Sequence, residues 1–96
     1  MIFEWDSEKA AINLDKHKVS LQEATTVFGD PLSMTVPDPD HSMGEDRYLI
    51  IGQSDSLRLL IVAHVERGDS IRIISARELT RKEREAYEEA RHPNDR

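Results

Sequence analysis

Two arginines in the second half of the chain are the best candidates for binding an anionic group. Arg72 interrupts the apolar run 70–76, where a charge is costly unless it is paired or lies in an open groove, and Arg77 directly follows that run. A planar guanidinium can hold two phosphate oxygens at once. The structural alternatives are an ion pair of Arg72 with Glu66 or another carboxylate, and a contact of Arg77 that caps a neighbouring helix.

His64 is the candidate for proton transfer. It follows the apolar stretch 59–62, and an imidazole can exchange a proton near neutral pH, although a lone histidine on a strand is more often structural. A three-residue loop at 67–69 would place His64 opposite Arg72 on the same face of a hairpin. A two-residue loop at 67–68 would place the two side chains on opposite faces, because a one-residue slip reverses every side chain. The sequence leaves both registers open.

Three helix residues could contact a substrate. Lys16 and His17 form a basic pair at the predicted end of a helix, where their alternative role is a favourable interaction with the helix dipole. Tyr87 could donate a hydrogen bond to a phosphate, but it also fits the buried stripe of the last predicted helix. Each of the three therefore has a structural alternative as well as a binding role.

Arg47 lies on a predicted strand beside an acidic turn. It could reach a substrate, or it could pair with Asp38, Asp40 or Glu45 of that turn. These carboxylates and His41 are hard metal ligands, but their spacing does not match a calcium loop, which needs glycine at its sixth position and glutamate at its twelfth. We interpret the segment as a solvated loop and predict neither a metal site nor a cofactor.

Length and composition predict one domain, residues 1–92, followed by a frayed tail at 93–96. The chain has 96 residues, no cysteine and a net charge of −6, so disulfides and thiolate metal sites are excluded. Residues 1–56 carry 4 basic and 11 acidic side chains, and residues 57–96 carry 9 and 8. This balance excludes a broad duplex-DNA surface. Without a long apolar run or a signal-like N-terminus, we expect no membrane contact and a cytoplasmic location.

The elements that must position these side chains follow from periodicity and capping signals. Serine or threonine followed three residues later by glutamate predicts capping boxes at 20–23 and 80–83. Helices followed by a run of strands favour an α+β fold with the order β-α-α-β-β-β-β-α, a mostly antiparallel sheet with helices packed on it. The predicted elements are strand Ile2–Trp5, a helix to about His17, a helix from 20 to Gly29, strands Leu32–Val36, Arg47–Gly52, Leu57–Glu66 and Ser70–Ala76, and a helix from Thr80 to about Ala90.

Consecutive apolar residues at 59–62 indicate a strand that is covered on both faces. We expect three helices in a chain of this length to leave part of the sheet uncovered. We therefore expect a partner chain to cover part of one face, and an exposed apolar patch in the isolated chain.

Order and spacing along residues 3–89 resemble the BrnT family. Leu21 departs from the pattern, which has an aromatic residue there, and this difference concerns packing only. The matching positions are Phe3, Glu4, Trp5, Asp6, Lys9, Asn13, Lys16, His17, Val19, Ser20, Glu23, Ala24, Phe28, Asp30, Pro31, Asp40, His41, Ser42, Glu45, Arg47, Gly52, the run 71–77, Glu83 and Tyr87.

The resemblance implies a RelE-like fold and a type II toxin, a ribonuclease that halts translation. It also implies neutralisation by a cognate BrnA antitoxin whose DNA-binding part represses the operon. Oligomeric state stays open between a homodimer and a heterotetramer with the antitoxin. The alternative function is a non-catalytic module that holds the antitoxin in a repressor complex, which the acidic charge balance favours slightly. An uncharacterised housekeeping domain is a third possibility.

Metal-independent RNA cleavage sets the roles that we expect. A base takes the proton of the ribose 2′-OH, cations stabilise charge on the phosphorus centre, and an acid protonates the leaving 5′ oxygen, which yields a 2′,3′-cyclic phosphate. The expected catalytic residues are Arg72, Arg77 and His64. The expected substrate-binding residues are Lys16, His17, Arg47 and Tyr87.

Overall fold

A computed structural model describes residues 1–39 and 46–91 of the chain. Within these ranges the predicted order of elements and the α+β class are confirmed. Five strands form one sheet in the order β1-β5-β4-β3-β2, antiparallel except for the β1–β5 pair. The elements are β1 (Ile2–Glu4), α1 (Ser7–His17), α2 (Leu21–Thr26), a 3₁₀ turn (Val27–Gly29), β2 (Met34–Pro37), β3 (Arg47–Gln53), β4 (Leu59–Arg67), β5 (Ser70–Glu78) and α3 (Arg81–Arg91).

Helix α1 begins and ends with well-formed caps. Asp6 Oδ1 accepts from the backbone N–H groups of Glu8 and Lys9 at 2.8 and 3.1 Å, and these bonds, the one from Lys9 first, lower the pKa of Asp6. At the other end Lys18 adopts the left-handed conformation with φ 60°, and its N–H donates to Leu14 O at 2.9 Å. The two caps fix where α1 stops and therefore where His17 lies.

The two predicted capping boxes differ. At α3 both halves form, since Glu83 N donates to Thr80 Oγ1 and Thr80 N donates to Glu83 Oε1, at 3.1 and 2.9 Å. At α2 the Ser20 hydroxyl caps Glu23 N at 3.0 Å, but the Glu23 carboxylate accepts from Arg58 instead, and charge-assisted bonds to a guanidinium are the stronger choice. The same bonds, Arg58 foremost, lower the pKa of Glu23.

The main hydrophobic core lies between α1, α2 and one face of the sheet, which we call the core face. Alternate residues of β4, Leu60 and Val62, are fully buried there, whereas Ile61 lies on the opposite face and is half-buried. We call that opposite face the open face. Part of it is covered by α3, whose Tyr87 is buried. The core-face residues include Val19, Leu21, Ala24, Val27, Ile50, Ile71, Ile73 and Ala76.

The β4–β5 hairpin has a register that neither sequence alternative described. Its two-residue turn is Gly68-Asp69, with Gly68 at φ 59°, and Arg67 pairs with Ser70. A β-bulge follows, because Ile73 pairs with His64 and Ser75 with Ala63, which leaves Ile74 without a partner. As a result His64 lies opposite Ile73, and not opposite Arg72.

Gly52 on β3 marks where the segment that follows α2 approaches the sheet. A Cβ atom there would lie 2.9 Å from Asp30 Oδ2 and from Ser33 Cβ. Asp30 uses that oxygen to accept from Gln53 N at 2.8 Å, so the glycine allows the turn after α2 to bond to β3.

Among the described residues, no helix combines the length and apolar character needed to cross a membrane. The predicted tail at 93–96 lies outside the described residues.

Candidate active site

A hollow of about 330 Å³ opens on the open face of the sheet, beside the C-terminal end of α1. Three of the seven predicted site residues, His17, Arg47 and Arg77, line it together. They come from α1, β3 and β5, so the sequence separates them widely and the fold assembles them. The other lining residues are Asp38, Leu49, Ile61, Ala63, Ile74, Ser75 and Ala76.

The two arginines flank a floor of small and apolar side chains. Arg77 pairs with Ile61 across β4–β5, and Arg47 is the first residue of β3, on the other side of β4. Residues 61 and 63 of β4 lie on the same face because side chains alternate along a strand. Arg47 and Arg77 therefore lie on the two strands that flank the apolar residues of β4, and both line the same hollow.

Asn13 is the residue that fixes His17 beside this floor. It is 5% exposed, and its Nδ2 donates to the carbonyls of Val19 and Ala76, both at 2.9 Å. Its Oδ1 accepts from Ala76 N at 3.1 Å. Because His17 follows one helical turn later on the same side of α1, these bonds hold the end of the helix that carries His17 against β5, and His17 lines the hollow with Ser75 and Arg77. We did not predict this role; the available signal was a polar residue on the buried stripe of a helix.

The β-bulge lies directly at the hollow. Ile74, the residue without a cross-strand partner, lines the hollow together with Ser75 and Ala76. Bulges bend a strand and re-aim its side chains, and they are over-represented beside active sites. Here the bulge lets Arg72, Ser75 and Arg77 share the open face, although Ser75 comes three positions after Arg72 and a regular strand would place those two residues on opposite faces.

Arg77 is paired as well as exposed to the hollow. Its Nη1 and Nη2 donate to the two carboxylate oxygens of Glu83 at 2.8 and 3.0 Å, and Nη1 also donates to Glu78 O at 3.1 Å. The guanidinium lowers the pKa of Glu83 to about 2, and the carboxylate raises the pKa of Arg77. Among the described residues these bonds take three of the five N–H groups, and the side chain is 39% exposed. Arg77 therefore contacts the neighbouring helix α3 through the Glu83 carboxylate, an ion pair in place of the cap that the structural alternative described.

Arg72 lies on the open face but does not line the hollow. Arg47 and Arg72 both pair with Val65, from opposite sides, so the three residues form a row across β3, β4 and β5. The guanidinium of Arg72 is 3.8 Å from the carboxylate of Glu4 on β1. The carboxylate partner is thus Glu4 and not Glu66, and the long distance makes this a weak ion pair.

The structure separates His64 from every predicted arginine. It lies on the core face, 1% exposed, with its ring 4.9 Å from Phe28 and stacked at 5.9 Å on Tyr48. Burial lowers the pKa of His64, which favours the neutral ring, and Nδ1 has no hydrogen-bond partner among the described residues. The expectation that His64 acts beside Arg72 is corrected: it is a core residue on the other side of the sheet.

Tyr87 and Lys16 lie away from the hollow. Tyr87 is the buried residue of α3, and its hydroxyl donates to Leu32 O at 3.0 Å. Burial raises the pKa of the Tyr87 hydroxyl. Its expected role in substrate binding is corrected to the core role that the sequence offered as the alternative. Lys16 is exposed and lines a neighbouring hollow on the far side of His17.

No group of three or more histidine, aspartate or glutamate side chains in residues 1–39 and 46–91 is arranged to hold a metal ion. Asp40, His41 and Glu45 of the predicted solvated loop lie outside those residues. Asp38 is described and lines the hollow, and its N–H donates to Arg47 O at 2.9 Å.

Comparison with known families decides the relationship. The family model described as "Ribonuclease toxin, BrnT, of type II toxin-antitoxin system" matches residues 5–83. The chain belongs to the BrnT toxin family. The crystal structure of the Brucella abortus ribonuclease toxin BrnT is similar, with a TM-score of 0.66 and 20% identity, covering 84% of this chain and all of that one. No curated protein matches the chain.

Membership of the BrnT family confirms the resemblance drawn from the sequence. The matched range includes His17, Arg47 and Arg77, so the whole hollow lies within it. The family consists of ribonuclease toxins, and a type II system implies an antitoxin partner. The Brucella structure, at its low identity, establishes the shared fold.

Proposed function

We propose that this BrnT-family chain is a metal-independent endoribonuclease toxin whose reaction takes place in the hollow between α1, β3 and β5. The observation that carries the proposal is the convergence of His17, Arg47 and Arg77 on one open hollow. One imidazole and two guanidinium groups supply proton transfer and charge stabilisation without a metal ion.

Each side chain has a distinct role in the proposed reaction. The His17 imidazole takes the proton from a ribose 2′-OH, and the 2′ oxygen attacks the adjacent phosphorus. Arg47 and Arg77 donate to the non-bridging oxygens, where negative charge increases as the attack proceeds. The bond from phosphorus to the 5′ oxygen breaks, that oxygen takes a proton from water, and a 2′,3′-cyclic phosphate remains.

Charge around the hollow limits how the protein holds RNA. Asp38 and Glu83 lie beside the two arginines, and the whole chain carries a net charge of −6. The site therefore has a local positive potential at most, without a broad basic surface. We expect cleavage to depend on close contacts within the groove, with weak binding of RNA elsewhere on the protein.

The partners and location follow from the family. We propose that a BrnA-type antitoxin neutralises the toxin and that both act in the cytoplasm. In the second candidate function the chain only holds the antitoxin within a repressor complex. The Arg77–Glu83 ion pair favours that alternative, because a carboxylate already occupies part of the phosphate-binding guanidinium.

Gel analysis of purified protein incubated with end-labelled RNA and EDTA tests the proposal. We expect cleavage that survives chelation and leaves 2′,3′-cyclic phosphate ends. Arg47→Ala should slow the appearance of products by about 10²–10³, whereas Arg84→Ala on the exposed surface of α3 is the matched control and should not. Strict metal dependence would contradict the mechanism. A protein that binds antitoxin but neither cleaves RNA nor arrests growth would establish the binding module.

A further inference from the structure

A second hollow, of about 190 Å³, adjoins the candidate active site on the far side of His17. It lies between α1 and the bulged part of β5. His17, Ile74 and Ser75 line both hollows, so the two form one continuous groove across the end of α1. The remaining residues of the second hollow are Lys9, Ile12, Asn13 and Lys16.

The groove has two ammonium groups on one side. Lys9 and Lys16 are exposed and lie seven residues apart, which places them on the same side of α1, about 10 Å apart along its axis. At that spacing the two side chains can reach two different phosphates of one strand. Glu8 and Asp15, which directly precede the two lysines in sequence, do not line the second hollow, and Asp6 is engaged as the cap of α1.

The same groove has an apolar surface that the protein leaves uncovered. Ile12 is 63% exposed although it lies between the two lysines on α1. Ile74, the bulged residue, is half-buried and faces the same hollow. A nucleotide base can pack against exposed apolar side chains of this kind. The phosphates of the same strand can then interact with the neighbouring ammonium groups.

We propose that this second hollow is a subsite for the nucleotide that flanks the cleaved phosphodiester in single-stranded RNA. Lys9 and Lys16 contact the backbone phosphates beyond the reaction site, and the base lies against Ile12 and Ile74. The strand is single because a paired base cannot turn its face to a protein surface. This inference rests on the proposed function and adds its substrate class and binding path.

Salt-dependent binding of uncleavable RNA tests the subsite. The probes are fluorescein-labelled 2′-O-methyl hexanucleotides and dinucleotides of mixed sequence, with affinity measured by anisotropy at several salt concentrations. Each phosphate contact to a single strand contributes about 0.7 to the slope of log affinity against log salt. For the hexanucleotides, Lys9→Ala with Lys16→Ala should lower this slope by about 1.4. For the dinucleotides, which span only the reaction site, the slope should not change.

Matched controls separate the subsite from general charge effects. Lys82→Ala with Arg84→Ala removes two exposed cations of α3 and should leave the slope at the wild-type value. Ile12→Ser should weaken hexanucleotide binding several-fold, whereas Leu14→Ser, 50% exposed elsewhere on α1, should not. Equal effects of both pairs would overturn the proposal.

The outcomes distinguish this inference from the nuclease proposal. If the wild type cleaves RNA and the lysine variant keeps the wild-type slope, the subsite is wrong and the nuclease stands. If the slope falls as expected but no RNA is cleaved, the binding path stands and the nuclease is wrong. If the lysine variant binds RNA normally but loses the antitoxin, the groove is a protein interface and the subsite is overturned.

Discussion

One histidine lies on each side of the sheet, and their surroundings differ. The histidine on the core face has aromatic neighbours, and the histidine on the open face shares a hollow with arginines. His64 on the core face is 1% exposed and packs against Phe28 and Tyr48. His17 on the open face is half-buried and shares a hollow with Arg47 and Arg77. Burial that keeps an imidazole neutral also keeps it from an RNA strand. The comparison teaches that burial makes His64 a core residue, and that the open hollow around His17 makes it the candidate for the proposed chemistry.

The largest expected effect is on the arginines of the open face. Replacing Arg47 and Arg77 together by alanine removes donors to the developing charge, and one such donor is worth about 10²–10³ in rate. We expect single-turnover RNA cleavage to fall by at least about 10³. Arg72→Ala, on the same face but outside the hollow, is the control and should stay near the wild-type rate. A loss at Arg72 equal to that of the double variant would contradict the placement of the reaction in the hollow.

The next effect concerns Asn13, which anchors α1 to β5. Asn13→Ala leaves the carbonyls of Val19 and Ala76 and the N–H of Ala76 without a partner, and each buried unpaired group costs about 1–3 kcal/mol. We expect urea unfolding to show a loss of about 3 kcal/mol or more. Leu14→Ala, on an exposed side of α1, should cost less than about 0.5 kcal/mol. Similar losses in both variants would mean that Asn13 does not anchor α1.

A smaller effect should distinguish the core face by its pH dependence. The pKa of His64 is lowered by burial from its ordinary value of 6.5, so the unfolded chain binds a proton there that the folded chain does not. Above pH 6.5 the imidazole is neutral in both the folded and the unfolded chain, so His64 does not change the free energy of unfolding. As the pH falls below 6.5 the unfolded chain takes up a proton and the folded protein becomes less stable. Linkage limits the slope to about 1.4 kcal/mol per pH unit.

The measurement is the free energy of unfolding at pH 7.5 and 5.5 for wild type and His64→Leu. We expect the wild type to lose more stability than the variant over this interval, because only the wild type must hold a neutral imidazole in its core. An identical pH dependence of the two proteins would contradict the assignment of His64 to the core.

The smallest effect is at the ion pair that borders the hollow. Glu83 has a pKa of about 2 beside Arg77, so its contribution to stability is complete above 4.5 and is lost as the pH falls through about 2. Because both side chains are 39% exposed, solvent screens the pair and its contribution is below about 1 kcal/mol. Glu83→Gln should flatten acid unfolding between pH 4.5 and 2 and leave cleavage at or above the wild-type rate. Slower cleavage would show that Glu83 must orient Arg77.

Local signals predicted most of the fold, and long-range pairing decided most of the site. Ser20 and Thr80 stand immediately before α2 and α3, because capping is chemistry between neighbours. The fate of the Glu23 carboxylate depended on Arg58, 35 residues away, and could not be predicted from the spacing of a capping box. His64 was assigned the wrong surroundings for the same reason: a turn at Gly68-Asp69 and a bulge at Ile74 set the register together.

The candidate site shows the same division. Arg47, Arg77 and His17 could be chosen by residue type and resemblance, but only the fold brings them to one hollow and leaves Arg72 and Tyr87 outside it. Asn13 was not recognised as a positioning residue, since its partners Val19 and Ala76 are backbone groups that a sequence does not display.

The two histidines give the most direct test of the central claim that the open face holds the chemistry. Single-turnover cleavage of RNA in EDTA should be measured for His17→Ala and His64→Leu, with folding of each variant checked by its unfolding curve. We expect His17→Ala to lose about 10²–10⁴ in rate and His64→Leu to keep the wild-type rate. A folded His17→Ala protein that cleaves normally, or a folded His64→Leu protein that does not cleave, would contradict the account.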